Sequence, residues 1–145
     1  MRPDAFRRTA RSWRPSARRS RAAAAGVLAA TIWALQEPLD RRLFGCDHSD
    51  IELLGKAVTR GRRWRAAGFA VHAVNGAVFG LAFHELRERV PVSPRKLAVA
   101  AALAEHLALY PLFYFVDRPL LTSPRAFAQE TWRHLLFGWV LGRLA

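Results

Sequence analysis

Four apolar stretches alternate with four charged segments along the chain, and the lengths of the apolar ones constrain the fold more than any other feature. They run from Ala22 to about Leu39, from Ala66 to Leu86, from Leu97 to Val116, and from Ala126 to the end of the chain. The first carries no charge before Glu37, the second only Glu85 and the third only Glu105, while the fourth holds Glu130, Arg133 and Arg143. A helix rises about 1.5 Å per residue and the hydrocarbon core of a bilayer is about 30 Å thick, so roughly twenty apolar residues cross it. Helices of a soluble four-helix bundle would instead show a polar residue at every third or fourth position on an outer face. Between Ala66 and Phe83 only His72 and Asn75 are strongly polar, and LAVAAALAEHLALYPLFYFV is apolar nearly all round. A chain of 145 residues has no core large enough to bury such helices. The expectation is an all-α integral membrane bundle of four transmembrane helices over about 22–39, 66–86, 97–116 and 126–144, within a domain of residues 22–145.

Charge is segregated rather than mixed. Lys and Arg number 23 against 11 Asp and Glu, a formal net charge of +12, yet 52% of the residues are hydrophobic. That apolar content excludes disorder for most of the chain. The first twenty-one residues differ, with eight arginines, one acid, Pro3 and Pro15. They read as a basic disordered tail over 1–21 that sets the orientation of the first span; a nucleic-acid arm and an organelle transit peptide are the rival readings. QEPLDRR follows the first apolar run where a small-residue cleavage site would be needed, so that run reads as a retained anchor. The tail and the second loop carry twelve basic residues against nine in the first and third loops, which places both termini in the cytoplasm of a multi-pass cell-membrane protein. A lone cysteine, Cys46, closes no intramolecular disulfide and supplies no thiolate zinc cage.

The first loop, from about Asp40 to Arg65, is long enough for structure of its own. Ser49-Asp50-Ile51-Glu52 fits a capping box, after which Ile51, Leu54 and Val58 fall on one helical face. This predicts a short amphipathic helix at the membrane interface, with a partner-docking helix as the alternative. Cys46, Asp47, His48 and Asp50 resemble a loop metal cluster, but one thiol, one imidazole and flexible carboxylates are an unspecific set, and helix capping accounts for Asp50 without a metal.

Polar residues inside the spans carry the functional question, because ionisable groups in lipid are costly and face a partner or a cavity. The candidate cluster is Glu37, His72, Asn75, Glu105, His106, Tyr110, Glu130, Arg133 and His134, all falling in the half of the bilayer that faces the first loop. The structural reading pairs Arg133 with Glu130 or Glu105 and uses the histidines and Asn75 as interhelical hydrogen-bonding groups. Haem, a non-haem metal, and a proton or small-solute pathway are the functional readings. Glu130 and His134 are four apart and Glu105 and His106 adjacent, which departs from the Glu-x-x-His spacing of di-iron bundles. Gly76 with Gly80 and Gly138 with Gly142 form small-xxx-small faces for helix packing. No phosphate-binding loop, nucleophile elbow or His-Glu-x-x-His motif is present in the sequence.

The runs TIWALQEPLDRRLFGCDHSDIELLGKAVTRG, HAVNGAVFG, AEHLALYPL and AFAQETWRHLLFGWVLG together resemble a group of uncharacterised small four-span integral membrane proteins of high-GC bacteria, over most of the chain after Ala22. The resemblance implies a membrane bundle and no catalytic residue. The sequence therefore predicts a non-enzymatic membrane scaffold or accessory subunit with no cofactor. The alternative is a solute-, proton- or metal/haem-handling membrane protein that uses the His/Glu cluster. The partners expected are the lipid bilayer and, through the glycine faces, a second copy or another membrane protein. No specific nucleic acid is expected.

Overall fold

The computed structural model describes the backbone of residues 4–112 and 118–145 and the side chains of 17–112 and 119–145. It is all-α, with no strand among the described residues. The helices are α1 (Asp4–Phe44), α2 (Asp50–Val58), α3 (Trp64–Arg87), α4 (Pro94–Leu109), a 3-10 turn over Tyr110–Leu112, the short α5 (Arg118–Leu121) and α6 (Pro124–Leu144). Two of these are long and apolar enough to cross a membrane: the Ala17–Phe44 part of α1 and α3.

Local chemistry sets the helix ends. α1 stops where Gly45 takes a left-handed conformation (φ 58°) and the Cys46 amide donates to the Arg41 carbonyl at 3.2 Å, a Schellman closure that only a residue without Cβ enters cheaply. Both α4 and α6 begin on Ser-Pro-Arg, with proline where its missing N–H costs nothing. Ser123 caps α6 by accepting from the Ala126 amide at 3.2 Å.

Three expectations need correction. Helix α1 begins at Asp4, within the segment expected as a disordered tail over 1–21. The first apolar helix does not end near Leu39 but continues to Phe44, which turns Asp40 from a loop residue into a buried one. The helix of the first loop forms at Asp50–Val58 and packs across α3, with its outer turn exposed. Its Gly55 lies against the Trp64 carbonyl and the Gly68 amide of α3, an approach that no side chain at either glycine would allow. Val58, expected on its apolar face, is 62% exposed.

Around the bundle the order is α3, α1, α6, α4. α1 packs on α3 and on α6, α6 packs on α4, and α2 lies across α3, whereas α3 and α4 barely meet. The α1–α3 seam is a ladder of small residues: Ala22, Gly26 and Ala30 from α1 against Gly76 and Gly80 from α3, with a Cβ on Gly76 falling 2.7 Å from that of Ala30. Gly138 and Gly142 of α6 meet Val99 and Arg95 of α4, each 2.7 Å from where a Cβ would stand. Both glycine faces are thus spent inside one chain, and neither is left open for a second copy. The interior is alanine-rich and polar while large apolar side chains point outward, among them Leu35, Val74, Leu107 and Trp139.

Candidate functional site

Asp40 and Arg133 are both fully buried, and their pairing organises the site. Arg133 uses every one of its five donors. Nε and Nη2 form a bidentate pair with Asp40 at 2.7 and 2.9 Å, Nη1 donates to Asp50 at 2.9 Å and to Glu130 at 2.8 Å, and Nη2 also donates to the His48 carbonyl at 3.0 Å. Asp40 accepts two more hydrogen bonds, from the side-chain amides of Gln36 and of Gln129, the latter at 2.7 Å. Gln129 donates as well to the Cys46 carbonyl at 3.1 Å, and Trp132 donates to Gln36 at 3.1 Å. A buried guanidinium is tolerated only when its charge and all its protons are met, and here they are.

Glu37, one turn before Asp40, anchors the start of α2. It accepts from the Ser49 hydroxyl at 2.7 Å and from the Asp50 amide at 3.1 Å. Ser49 in turn accepts from the Glu52 amide at 3.2 Å. Half of the expected capping box is therefore present. Glu52 pairs with Lys56 instead of reaching back, and Glu37 from α1 takes up the Asp50 amide.

Asp50 joins α2 to the core. Its Oδ2 accepts from Arg133 and from the Trp33 indole at 3.2 Å, and its Oδ1 lies 3.3 Å from His48 Nε2. Burial opposes its ionisation, but the His48 hydrogen bond and the Arg133 charge outweigh burial and hold the carboxyl below its usual value of 3.8. A carboxyl with a depressed folded pKa stabilises the fold above its unfolded value of about 3.9 and loses that contribution as pH falls toward the folded value. The stability gap between the wild type and D50N is accordingly expected to be widest above about pH 5 and to narrow steadily from about pH 4 downward. Chemical denaturation across that range measures it, and a gap independent of pH would contradict the ionised role.

Beside this network, in which only Gln129 Oε1 among the described buried side-chain atoms has no partner, lies a cavity of about 310 Å³ between α3 and α4, roofed by α2. Trp33, Phe79 and Phe137 give it apolar walls, and His72, Asn75, Glu105, His106, Glu130 and His134 bring polar groups to them. His72 is buried because it sits four residues from both Gly68 and Gly76, whose bare backbones let α2 and α1 close over it. Its Nε2 has no hydrogen-bond partner. His134 Nδ1 donates to the Glu130 carbonyl at 2.7 Å, which leaves Nε2 as the acceptor of the neutral ring. His106 Nε2 lies 3.0 Å from the Thr131 hydroxyl, whose own proton goes to the Phe127 carbonyl at 2.7 Å, so the imidazole is the donor. Tyr110 donates to the Leu120 carbonyl at 2.8 Å.

The polar cluster expected from the sequence thus divides. Glu37 and Arg133 belong to the ion-pair network, Glu130 stands at its border with the cavity, and His72, Asn75, Glu105, His106, Tyr110 and His134 line the cavity. Arg133 pairs with Glu130, not with Glu105. Sequence reasoning missed Asp40, Gln36 and Gln129, and it set aside His48 and Asp50, which the fold brings to Glu130. The one available signal was helical spacing: Glu37 and Asp40 lie three apart, as do Glu130 and Arg133. Comparison with protein-family models, curated proteins and solved structures finds no match to this chain, so its site is read from its own geometry.

Proposed function

We propose that the chain is a four-span, multi-pass protein of the cell membrane, with both termini cytoplasmic, that takes a small cation or cationic solute into the cavity between α3 and α4 and is not an enzyme. Exposed Leu, Val and Trp side chains on all four long helices, around an interior that holds the charges, support insertion of the whole bundle. At about 1.5 Å per residue the 21 residues of α6 measure roughly 31 Å, and the 16 of α4 with the following 3-10 turn come close to the same depth.

The observation that carries the functional reading is the unspent polar lining of the cavity. Glu105 faces it with no hydrogen-bond partner among the described residues, and neither does His72 Nε2 have one. Packing alone gives no reason to keep the buried His72 Nε2 so, since such a group costs about 1–3 kcal/mol when desolvated without a partner; Glu105 is half-buried. The self-association expected through the glycine faces loses that support, since both faces are consumed by α1–α3 and α4–α6 packing.

Stability decides between the two without knowledge of the ligand. Glu105→Leu in detergent-solubilised protein is expected to raise the midpoint of thermal unfolding by several degrees, because it removes an unpartnered carboxyl in exchange for apolar contact; sites kept for function show this trade. A clear fall in the midpoint would make Glu105 structural and return the scaffold reading. Resistance of the wild type to extraction from membranes by alkaline carbonate tests the insertion itself, and release into the soluble fraction would overturn it.

A further inference from the structure

Four carboxylates, those of Glu37, Asp40, Asp50 and Glu130, gather around one guanidinium. Glu37 is satisfied by the start of α2, and Asp40 by Arg133 and two glutamines. Asp50 and Glu130 share Nη1 of that one guanidinium, and both lie on the cavity wall. Next to them is His48. Its Nε2 stands 3.3 Å from Asp50 Oδ1 and 3.7 Å from Glu130 Oε1, and the ligand atoms of the three residues all fall within 4.8 Å of one another.

Two donors bound to one ion at about 2.0–2.2 Å stand about 3.0 Å apart at a right angle and about 3.5 Å apart at a tetrahedral one. The two separations from His48 bracket the tetrahedral figure. Asp50 is held from outside through its other oxygen, Oδ2, which accepts from Arg133 Nη1 and Trp33, and the same Nη1 donates to Glu130 Oε1 itself, the kind of support that orients metal-binding carboxylates. A second, independent feature points to a ligand. His72, only 7% exposed, presents an Nε2 with no partner to the same cavity.

We propose that His48, Asp50 and Glu130 hold one divalent first-row transition-metal ion at the wall of the α3–α4 cavity, with His72 as the unspent imidazole donor on that wall. The inference rests on the cation-handling reading and names its cation. Imidazole and carboxylate together suit manganese, iron(II) or zinc; calcium needs six to eight oxygens, and copper(I) prefers sulfur. One ion also adds positive charge beside the two carboxylates that share Arg133 Nη1.

The test uses the full chain, purified in detergent without a histidine tag, stripped with chelator, and titrated with Zn²⁺ and separately with Mn²⁺ by calorimetry. One ion per chain is expected. His48→Ala and Glu130→Gln are each expected to weaken binding at least tenfold, whereas Cys46→Ala leaves it unchanged. Failure of the folded wild type to bind either ion, or full-strength binding by both site variants, overturns the site. Should a variant not fold, pulsed EPR of Mn²⁺ on the wild type decides: coupling to an imidazole nitrogen supports the site and oxygen-only coordination overturns it. If the metal site fails while Glu105→Leu still raises the unfolding midpoint, the cavity reading stands and only its cation is wrong; if both fail, the reading itself falls.

Discussion

Asp40→Ala is expected to cost about 3–5 kcal/mol, the range observed when one member of a buried ion pair is removed, which corresponds to roughly 10–20 °C in the unfolding midpoint. The variant deprives Arg133 of its bidentate partner and leaves two side-chain amides, of Gln36 and Gln129, without their acceptor. Arg133 and Gln129 cannot reach water, since they are fully buried, whereas Gln36 is half-buried. The control is Asp47→Ala, which removes an ion pair to Arg41 of similar length whose carboxylate is 95% exposed; its expected effect is within about 0.5 kcal/mol. Thermal unfolding of the two variants side by side measures the contrast. A companion double variant, Asp40→Leu with Arg133→Met, is expected to recover much of the loss, because well-packed apolar groups replace a buried pair at little cost. Equal stability of D40A and D47A would contradict the network described above.

Gly76→Leu is expected to have a comparable or larger effect, above about 3 kcal/mol, by forcing α1 away from α3. Even a Cβ at this position would stand 2.7 Å from that of Ala30 and within contact of the Gly26 carbonyl, and backbone cannot rotate out of the way as a side chain can. The expected readout is loss of the monodisperse folded species and of protease resistance across both helices. Gly61→Leu is the matched control, since the nearest atom to a Cβ there is the Thr59 hydroxyl at 3.5 Å. A folded G76L protein that has merely lost an oligomeric state would restore the glycine face to an intermolecular role.

What could be read from the sequence was what short-range rules govern. The lengths of the apolar runs located all four long helices, because charge-free stretches of that size have few other uses. The Ser49 cap and the Glu130–Arg133 pair were legible from three-residue spacing. Asp40 was not. With Arg41 and Arg42 behind it and Pro38 before it, it has the local chemistry of a loop, and burying it makes sense only through Arg133, ninety-three positions away. The same limit hid the fate of α2. Ile51 and Leu54 would suit a lipid surface or a protein surface equally well, and the deciding contact is between Gly55 and the backbone of α3, which no periodicity announces. The histidines were found as a group, but their division into spent and unspent rings depended on individual partners such as Thr131 and the Glu130 carbonyl.

Asp50 has a consequence for how the cavity could ever be uncovered. Its side chain answers to Arg133, Trp33 and His48, and its amide to Glu37, so that the first residue of α2 is held by three separate parts of the chain. To lift α2 by a fraction of its travel would already strand a buried guanidinium proton and two carboxylates, the full expense of leaving with none of the solvent that would repay it. Any opening of the roof would therefore be an all-or-none event timed by a single residue rather than a gradual loosening.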